Sequence, residues 1–308
     1  MVELDRLRAA LDRHGRIVRV VVAEIRGSAP REVGAAMMVP VEGPAIGTIG
    51  GGALELEATE AARTLASARV GKRALGPDLG QCCGGAVTLV YDLLDSVPEV
   101  TDGMVLRRID GPEDPPLAVR RALAEARNGS DRSARLIEGW WLEPVAQPET
   151  DVWVWGAGHV GRAIVATIAP LPDMALIWVD TGPDRFPETV PEGVTVIPAA
   201  QPELLAAHAP QQAHHLVLTY SHAIDLALCD ALLRRGFASA GLIGSASKWA
   251  RFRRRLAGMG HAPARIDSIT CPIGDPSFGK HPQEIAVGVA AGLLRDTARQ
   301  DAKRDMTG

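Results

Sequence analysis

Val152-Trp153-Val154-Trp155-Gly156-Ala157-Gly158-His159-Val160-Gly161 is the stretch that decides the fold. A run of β-branched and aromatic residues ends on Gly-x-Gly-x-x-Gly, and an apolar helical pattern continues to Ile168. Strand, glycine turn and helix in that order form the phosphate corner of a dinucleotide-binding Rossmann unit. The glycines permit a tight turn and close backbone approach, and the helix start offers unpaired N–H groups and partial positive charge. Gly156, Gly158, His159 and Gly161 are therefore candidate ligand contacts. Asp180, nineteen residues beyond Gly161, stands where an acid would hold ribose hydroxyls. The plainer reading of the same glycines is helix–strand packing, because a fold outlasts a function.

Outward from this motif, strands at Ala175–Val179, Val194–Ile197, His215–Leu218 and Gly241–Ile243 alternate with helical segments, including Ala223–Arg234. Such alternation predicts an α/β fold, a Rossmann-like parallel sheet over 149–308. Upstream, Ile17–Ala23, Ala36–Val41 and Ala86–Leu93 read as strands, with an alanine- and glutamate-rich helix from Ala53 to about Ala68. These predict a smaller N-terminal α+β domain over 1–100. Between them, 101–148 reads as linker and edge elements, with a short helix near Leu117–Arg127 and a strand at Trp140-Trp141.

The chain has 308 residues, 46% of them hydrophobic, enough for two buried cores. Its formal net charge of −4 gives no global attraction to nucleic acid or an anionic membrane. The first ten residues lack the apolar run of a secretory signal, and no stretch approaches a membrane span. Four cysteines without a disulfide framework suit a reducing compartment, so a cytoplasmic location is expected.

Several smaller motifs suggest chemistry. Cys82-Cys83, within Gly80-Gln81-Cys82-Cys83-Gly84-Gly85, spends half of the cysteines at one point. A disulfide wants Cα atoms about 4.4–6.8 Å apart, whereas neighbours across a trans peptide lie about 3.8 Å apart. The pair thus reads as two thiols suited to a soft metal or to sulfur, with buried packing as the plainer alternative. Gly50-Gly51-Gly52 before a helix is a second anion cradle or a turn needing positive φ, and Arg31 is a candidate opposing charge. In Ser221-His222-Ala223-Ile224-Asp225 the serine and aspartate suit helix capping, while His222 is free to face a ligand. Lys248, after Gly244-Ser245, is placed to reach an anion, and Arg251, Arg253, Arg254 and Arg255 continue a basic helix face.

Taken as a set, Gly27-Ser28-Ala29-Pro30-Arg31, Ile49-Gly50-Gly51-Gly52-Ala53-Leu54-Glu55, Gln81-Cys82-Cys83-Gly84-Gly85, Gly156-Ala157-Gly158-His159-Val160, Ser221-His222-Ala223-Ile224-Asp225, Gly241-Leu242-Ile243-Gly244-Ser245 and Cys271-Pro272-Ile273-Gly274 resemble the XdhC/CoxI family of xanthine dehydrogenase accessory proteins. The resemblance implies a chaperone, rather than an enzyme, that binds the molybdenum cofactor (molybdopterin). Such a chaperone holds the cofactor while a cysteine desulfurase installs the sulfido ligand, and delivers it to apo xanthine dehydrogenase. It also implies a homodimer. The implied contacts are Arg31, Gly50, Gly51, Gly52, Gln81, Cys82, Cys83, Gly156, Gly158, His159, Gly161, Asp180, His222, Asp225 and Lys248, with Cys82 or Cys83 toward molybdenum. Gly182 departs from the pattern, standing where the family often has an arginine. The residues alone leave a second reading open, an NAD(P)-dependent oxidoreductase with His222 as acid or base.

Overall fold

The computed structural model describes residues 1–76, 84–146 and 150–305, with side chains through Arg299. The chain divides into two compact units, Met1–Gln147 and Pro148–Gly308.

In the first unit α1 (Leu4–His14) precedes β1 (Ile17–Arg26), β2 (Ala36–Pro40), β3 (Ile46–Gly47), α2 (Gly52–Arg63), β4 (Arg69–Ala74) and β5 (Ala86–Leu94). The strands form an antiparallel sheet in the order β3-β2-β1-β5-β4. Residues 17–23 of β1 are all buried, so the sheet is covered on both faces. Val18, Val20 and Val22 pack with Leu54, Ala58 and Ala62 of α2. Ile17 meets Leu7, Ala10 and Leu11 of α1, and Val21 and Ala23 meet Trp141.

Trp141 belongs to the stretch expected as linker and edge elements, which instead builds a layer of its own. It contains β6 (Val100–Thr101), β7 (Met104–Arg108), α3 (Leu117–Arg127), β8 (Arg135–Ile137) and β9 (Trp140–Pro144), with antiparallel order β6-β7-β9-β8. Val119, Ala122 and Ala126 of α3 pack on Met104, Trp140 and Leu142. Strands of two to five residues are too short to show a clear period in sequence, and the prolines at 112, 115 and 116 read as a break.

Charge also joins the two sheets. Arg19 of β1 forks onto Glu143 of β9 through two hydrogen bonds, Nη2 to Oε2 at 2.9 Å, both residues being buried. Asp92, opposite Arg19 in the β1–β5 register, accepts from Nε and Nη2 of Arg107 at 2.9–3.1 Å. Burial pushes the Asp92 carboxyl above its ordinary pKa, against the pull of Arg107 and Arg19.

The second unit alternates as its sequence predicts: β10 (Thr150–Trp155), α4 (His159–Ile168), β11 (Met174–Asp180), β12 (Val194–Pro198), α5 (Pro202–Ala206), β13 (His214–Val217), α6 (His222–Arg235), β14 (Ser239–Leu242), α7 (Ala246–Gly258), α8 (Pro263–Ile266), β15 (Ile269–Thr270) and α9 (Pro282–Asp305). All six strands are parallel, in the order β12-β11-β10-β13-β14-β15. This order is that of dinucleotide-binding Rossmann sheets, with the reversal between β10 and β13. One face packs on α4 and α9, the other on α5, α6 and α7. No helix among the described residues is long and apolar enough to cross a membrane.

Inside this sheet Trp153, Trp155 and His215 lie together, with Trp155 and His215 ring centroids 6.0 Å apart. The Trp155 indole donates to Nδ1 of His215 at 3.2 Å, which leaves the imidazole proton on Nε2, buried without an acceptor. Burial, reinforced by His214, pushes His215 down to about 3. An unfolded chain protonates this histidine below its ordinary pKa of 6.5, whereas the folded chain takes the proton only near 3. Stability is therefore lost as pH falls through that interval, at up to about 1.4 kcal/mol per unit. His215→Gln keeps an acceptor for Trp155 and removes the titration, so its urea midpoint is expected to fall less between pH 6.5 and 4 than that of the parent. An unchanged acid slope would exclude His215 as the cause.

Candidate functional site

The carboxyl edge of the parallel sheet gathers the turn after β10, the segment from Asp180 to Phe186 after β11, and Leu218 to Ser221 after β13. At Gly156, φ is +127° and a Cβ would sit 2.4 Å from the Leu218 carbonyl oxygen. At Gly161 a Cβ would sit 2.0 Å from the Gly156 carbonyl oxygen. The chain's own packing requires both glycines. Gly158 differs: its φ is −71° and nothing lies near where a Cβ would point, so its missing side chain simply keeps the start of α4 open. His159, the first residue of α4, is exposed.

Asp180 is 3% exposed, and its carboxylate is turned inward. Oδ2 accepts the Ala157 N–H at 2.6 Å, and Oδ1 accepts the Thr181 N–H at 2.6 Å and its hydroxyl at 3.2 Å. The acid that the sequence places beneath a ribose thus braces the glycine turn. Trp178 adds to this, its indole donating to the Gly156 carbonyl at 3.0 Å.

Asp225 and Lys248 come together on each other. Lys248 Nζ donates to Asp225 Oδ2 at 2.6 Å and to the Ile243 carbonyl at 2.8 Å. Asp225 Oδ1 also accepts the Thr219 N–H at 3.0 Å and hydroxyl at 2.7 Å. Asp225 is buried and the Lys248 side chain is only 9% exposed, so this pair ties the starts of α6 and α7 to the sheet edge. Ser221 caps α6 by accepting from the Ala223 N–H at 3.3 Å. His222 is exposed, with Nδ1 3.2 Å from Nη2 of Arg251 and its ring edge-on to Phe252. Among the basic residues of α7, Arg253 is spent on Asp267 at 2.7 Å. The nearby thiols are poor nucleophiles: burial, then the Asp225 charge, pushes Cys229 up to about 12, and burial also raises Cys271.

In the first unit, Gly50-Gly51-Gly52 does cradle an anion, and that anion is Glu55 of the same chain. Glu55 Oε1 accepts the N–H groups of Ile49, Gly50 and Gly51 at 2.9, 3.2 and 2.9 Å, and the Thr48 hydroxyl. Burial alone would raise the Glu55 pKa, but the hydroxyl and the three amides together hold it below the ordinary value. All three glycines have φ between +64° and +124°, so the turn reading and the cradle reading describe one structure. Arg31 sits alongside, forking onto Glu32 at 2.8 and 3.1 Å and drawing that carboxyl down to about 2, first through this hydrogen bond. Thr48 and Glu55 had a signal in sequence, a hydroxyl before the glycines and an acid in the first turn after them.

Gln81, Cys82 and Cys83 lie outside the described residues. Of the described residues on either side, the Leu75 N–H donates to the Gly85 carbonyl at 2.8 Å, and Gly85 lies beside the Gly27-Ser28 turn. A Cβ on Gly85 would meet the Ser28 carbonyl oxygen at 2.2 Å. A cavity of about 50 Å³ between β1, β2 and the end of α2 has room only for water.

Two family models match the chain, one in each unit. The model described as the XdhC and CoxI family covers residues 10–75, and the XdhC Rossmann domain covers 152–293. The chain belongs to the XdhC family. The uncharacterized protein YqeB of Escherichia coli (strain K12) is 26% identical over 286 residues, 89% of this chain and 42% of that protein. This XdhC-family chain therefore spans about two fifths of the length of that relative. A crystal structure titled as a xanthine dehydrogenase, from Bacillus halodurans, matches with a TM-score of 0.65 at 17% identity, covering 97% of this chain and 96% of that one. At that identity the likeness concerns the fold, and it extends over both units.

Proposed function

We propose that this chain is a carrier in xanthine dehydrogenase maturation. It binds the molybdenum cofactor, holds it while a cysteine desulfurase replaces an oxo ligand with the terminal sulfido ligand, and passes it to the apo-dehydrogenase. The observation that carries the reading is membership of the XdhC family in both units, N-terminal and Rossmann. The cofactor is a pterin with a phosphate and a dithiolene-bound metal, so it offers one hard end and one soft end. A glycine-led helix start such as the one after Gly158 suits a phosphate, and a thiol pair such as Cys82-Cys83 suits a soft metal, each read within its own unit. The protein acts as a cytoplasmic homodimer, and the desulfurase and the dehydrogenase are its partners.

The oxidoreductase reading draws on the Rossmann strand order, but the Asp180 carboxylate that would hold a ribose is already engaged by Ala157 and Thr181. His222, its candidate acid or base, stands against a guanidinium at the surface. For the carrier reading, replacing Cys82 and Cys83 together by alanine is expected to leave the fold intact and to abolish activation of apo-dehydrogenase in a reconstituted mixture. Full activation by the double variant would remove the thiols from the mechanism.

A further inference from the structure

Arg162 and Arg185 flank the glycine turn, and neither is fully spent. Arg162, exposed on α4, donates from Nε to the Ala157 carbonyl and from Nη2 to the Arg185 carbonyl, each at 3.0 Å. Among the described residues it has no carboxylate partner. Arg185 touches Asp180 only edgewise, Nε to Oδ1 at 3.4 Å, and that buried nitrogen makes no hydrogen bond. Its guanidinium carbon lies 4.6 Å from the centroid of the Tyr220 ring, and Tyr220 is 62% exposed. Arg185 follows β11 and Tyr220 follows β13, so the two reach each other from opposite sides of the turn that follows β10.

These positions discriminate between ligands. A ribose diol needs a free carboxylate at the end of β11, and Asp180 is saturated by the glycine turn and Thr181. A phosphomonoester instead meets guanidinium groups, whose planar forks match phosphate oxygens. A flat ring meets an exposed aromatic face backed by a guanidinium plane.

We propose that the sheet edge beside the glycine turn selects a flat heteroaromatic ring system carrying a phosphomonoester and disfavours the same system without it. Arg185 and Arg162 contact the phosphate and Tyr220 stacks on the ring. The inference rests on the carrier reading for the identity of the ring, a pterin, and adds which feature of it these residues read.

Titration calorimetry on the full chain with neopterin phosphate, neopterin, NADPH and NADH tests this. In whichever ring series binds, loss of the phosphomonoester is expected to weaken binding by about tenfold or more. Arg185→Gln and Arg162→Gln are each expected to weaken the phosphorylated ligand by a similar factor and to leave its dephosphorylated partner nearly unchanged. Tyr220→Ala should weaken both forms alike. Because Arg185→Gln also alters the surroundings of Asp180, Arg162→Gln, which does not touch that carboxylate, is the second variant, and thermal melting checks each fold. Equal affinity with and without the phosphate, no binding of any of the four compounds, or unaltered selectivity in both arginine variants would overturn the proposal. Selectivity confined to the nicotinamide pair would uphold it and count against the carrier reading. Retention of molybdenum cofactor without phosphate selectivity would do the reverse.

Discussion

Gly161→Ala is expected to cost the Rossmann unit more than 4 kcal/mol, beyond the range of ordinary point substitutions. The new methyl would lie 2.0 Å from the Gly156 carbonyl oxygen and 3.0 Å from Leu218 Cδ1. The first contact is with backbone, so no rotamer change relieves it. Either α4 lifts from β10, exposing Ile164, Val165 and Ile168, or the glycine turn moves and breaks the bond from Ala157 to Asp180. Gly158→Ala is the internal control, since that position has ordinary φ and open space. Its effect is expected to stay within about 1 kcal/mol. Urea denaturation followed by tryptophan fluorescence measures both, because Trp153, Trp155 and Trp178 are buried in this unit. Equal midpoints for the two variants would contradict the packing described.

Glu143→Ala is expected to destabilise the first unit by about 3–5 kcal/mol, because it strands a buried guanidinium. Arg19 is 5% exposed and Glu143 is fully buried. The other nearby acid, Asp92, is already held by Arg107. Removing both charges together is a different matter: Arg19→Met with Glu143→Leu keeps the volume and leaves no ion in the interior, and such replacements are often neutral or stabilising. The double variant is therefore expected to recover most of the loss. A double-mutant cycle on unfolding free energy reads the coupling directly. A single variant within about 1 kcal/mol of the parent would mean that the pair does not hold the two sheets.

The second unit was legible in sequence because parallel strands buried on both faces are written as unbroken apolar runs, as in Val152–Trp155, and because the glycine motif fixes where strand becomes helix. The first unit was legible only in its longer elements. α1 hides its Leu4, Leu7 and Leu11 stripe among acids and arginines, and β4 alternates too weakly to stand out. The layer from β6 to β9 depends on Trp141 reaching Val21 and Val90, a contact across more than a hundred residues in one case.

The candidate site shows the same division. Residue types and turns could be read, while their partners could not. Asp225 finds Lys248, Asp180 turns to Ala157, and Arg185 lies on Tyr220, all through approaches that only the folded sheet edge creates. Glu55 filling the Gly50–Gly52 cradle is the exception, since its partners lie within seven residues.

The proposed carriage of the molybdenum cofactor is tested most directly by mixing the full chain with free molybdenum cofactor, separating by size, and measuring molybdenum and pterin in the protein fraction. The carrier account expects the two to co-elute with the protein in near-equal amounts approaching one per protomer. A protein fraction containing neither would contradict it.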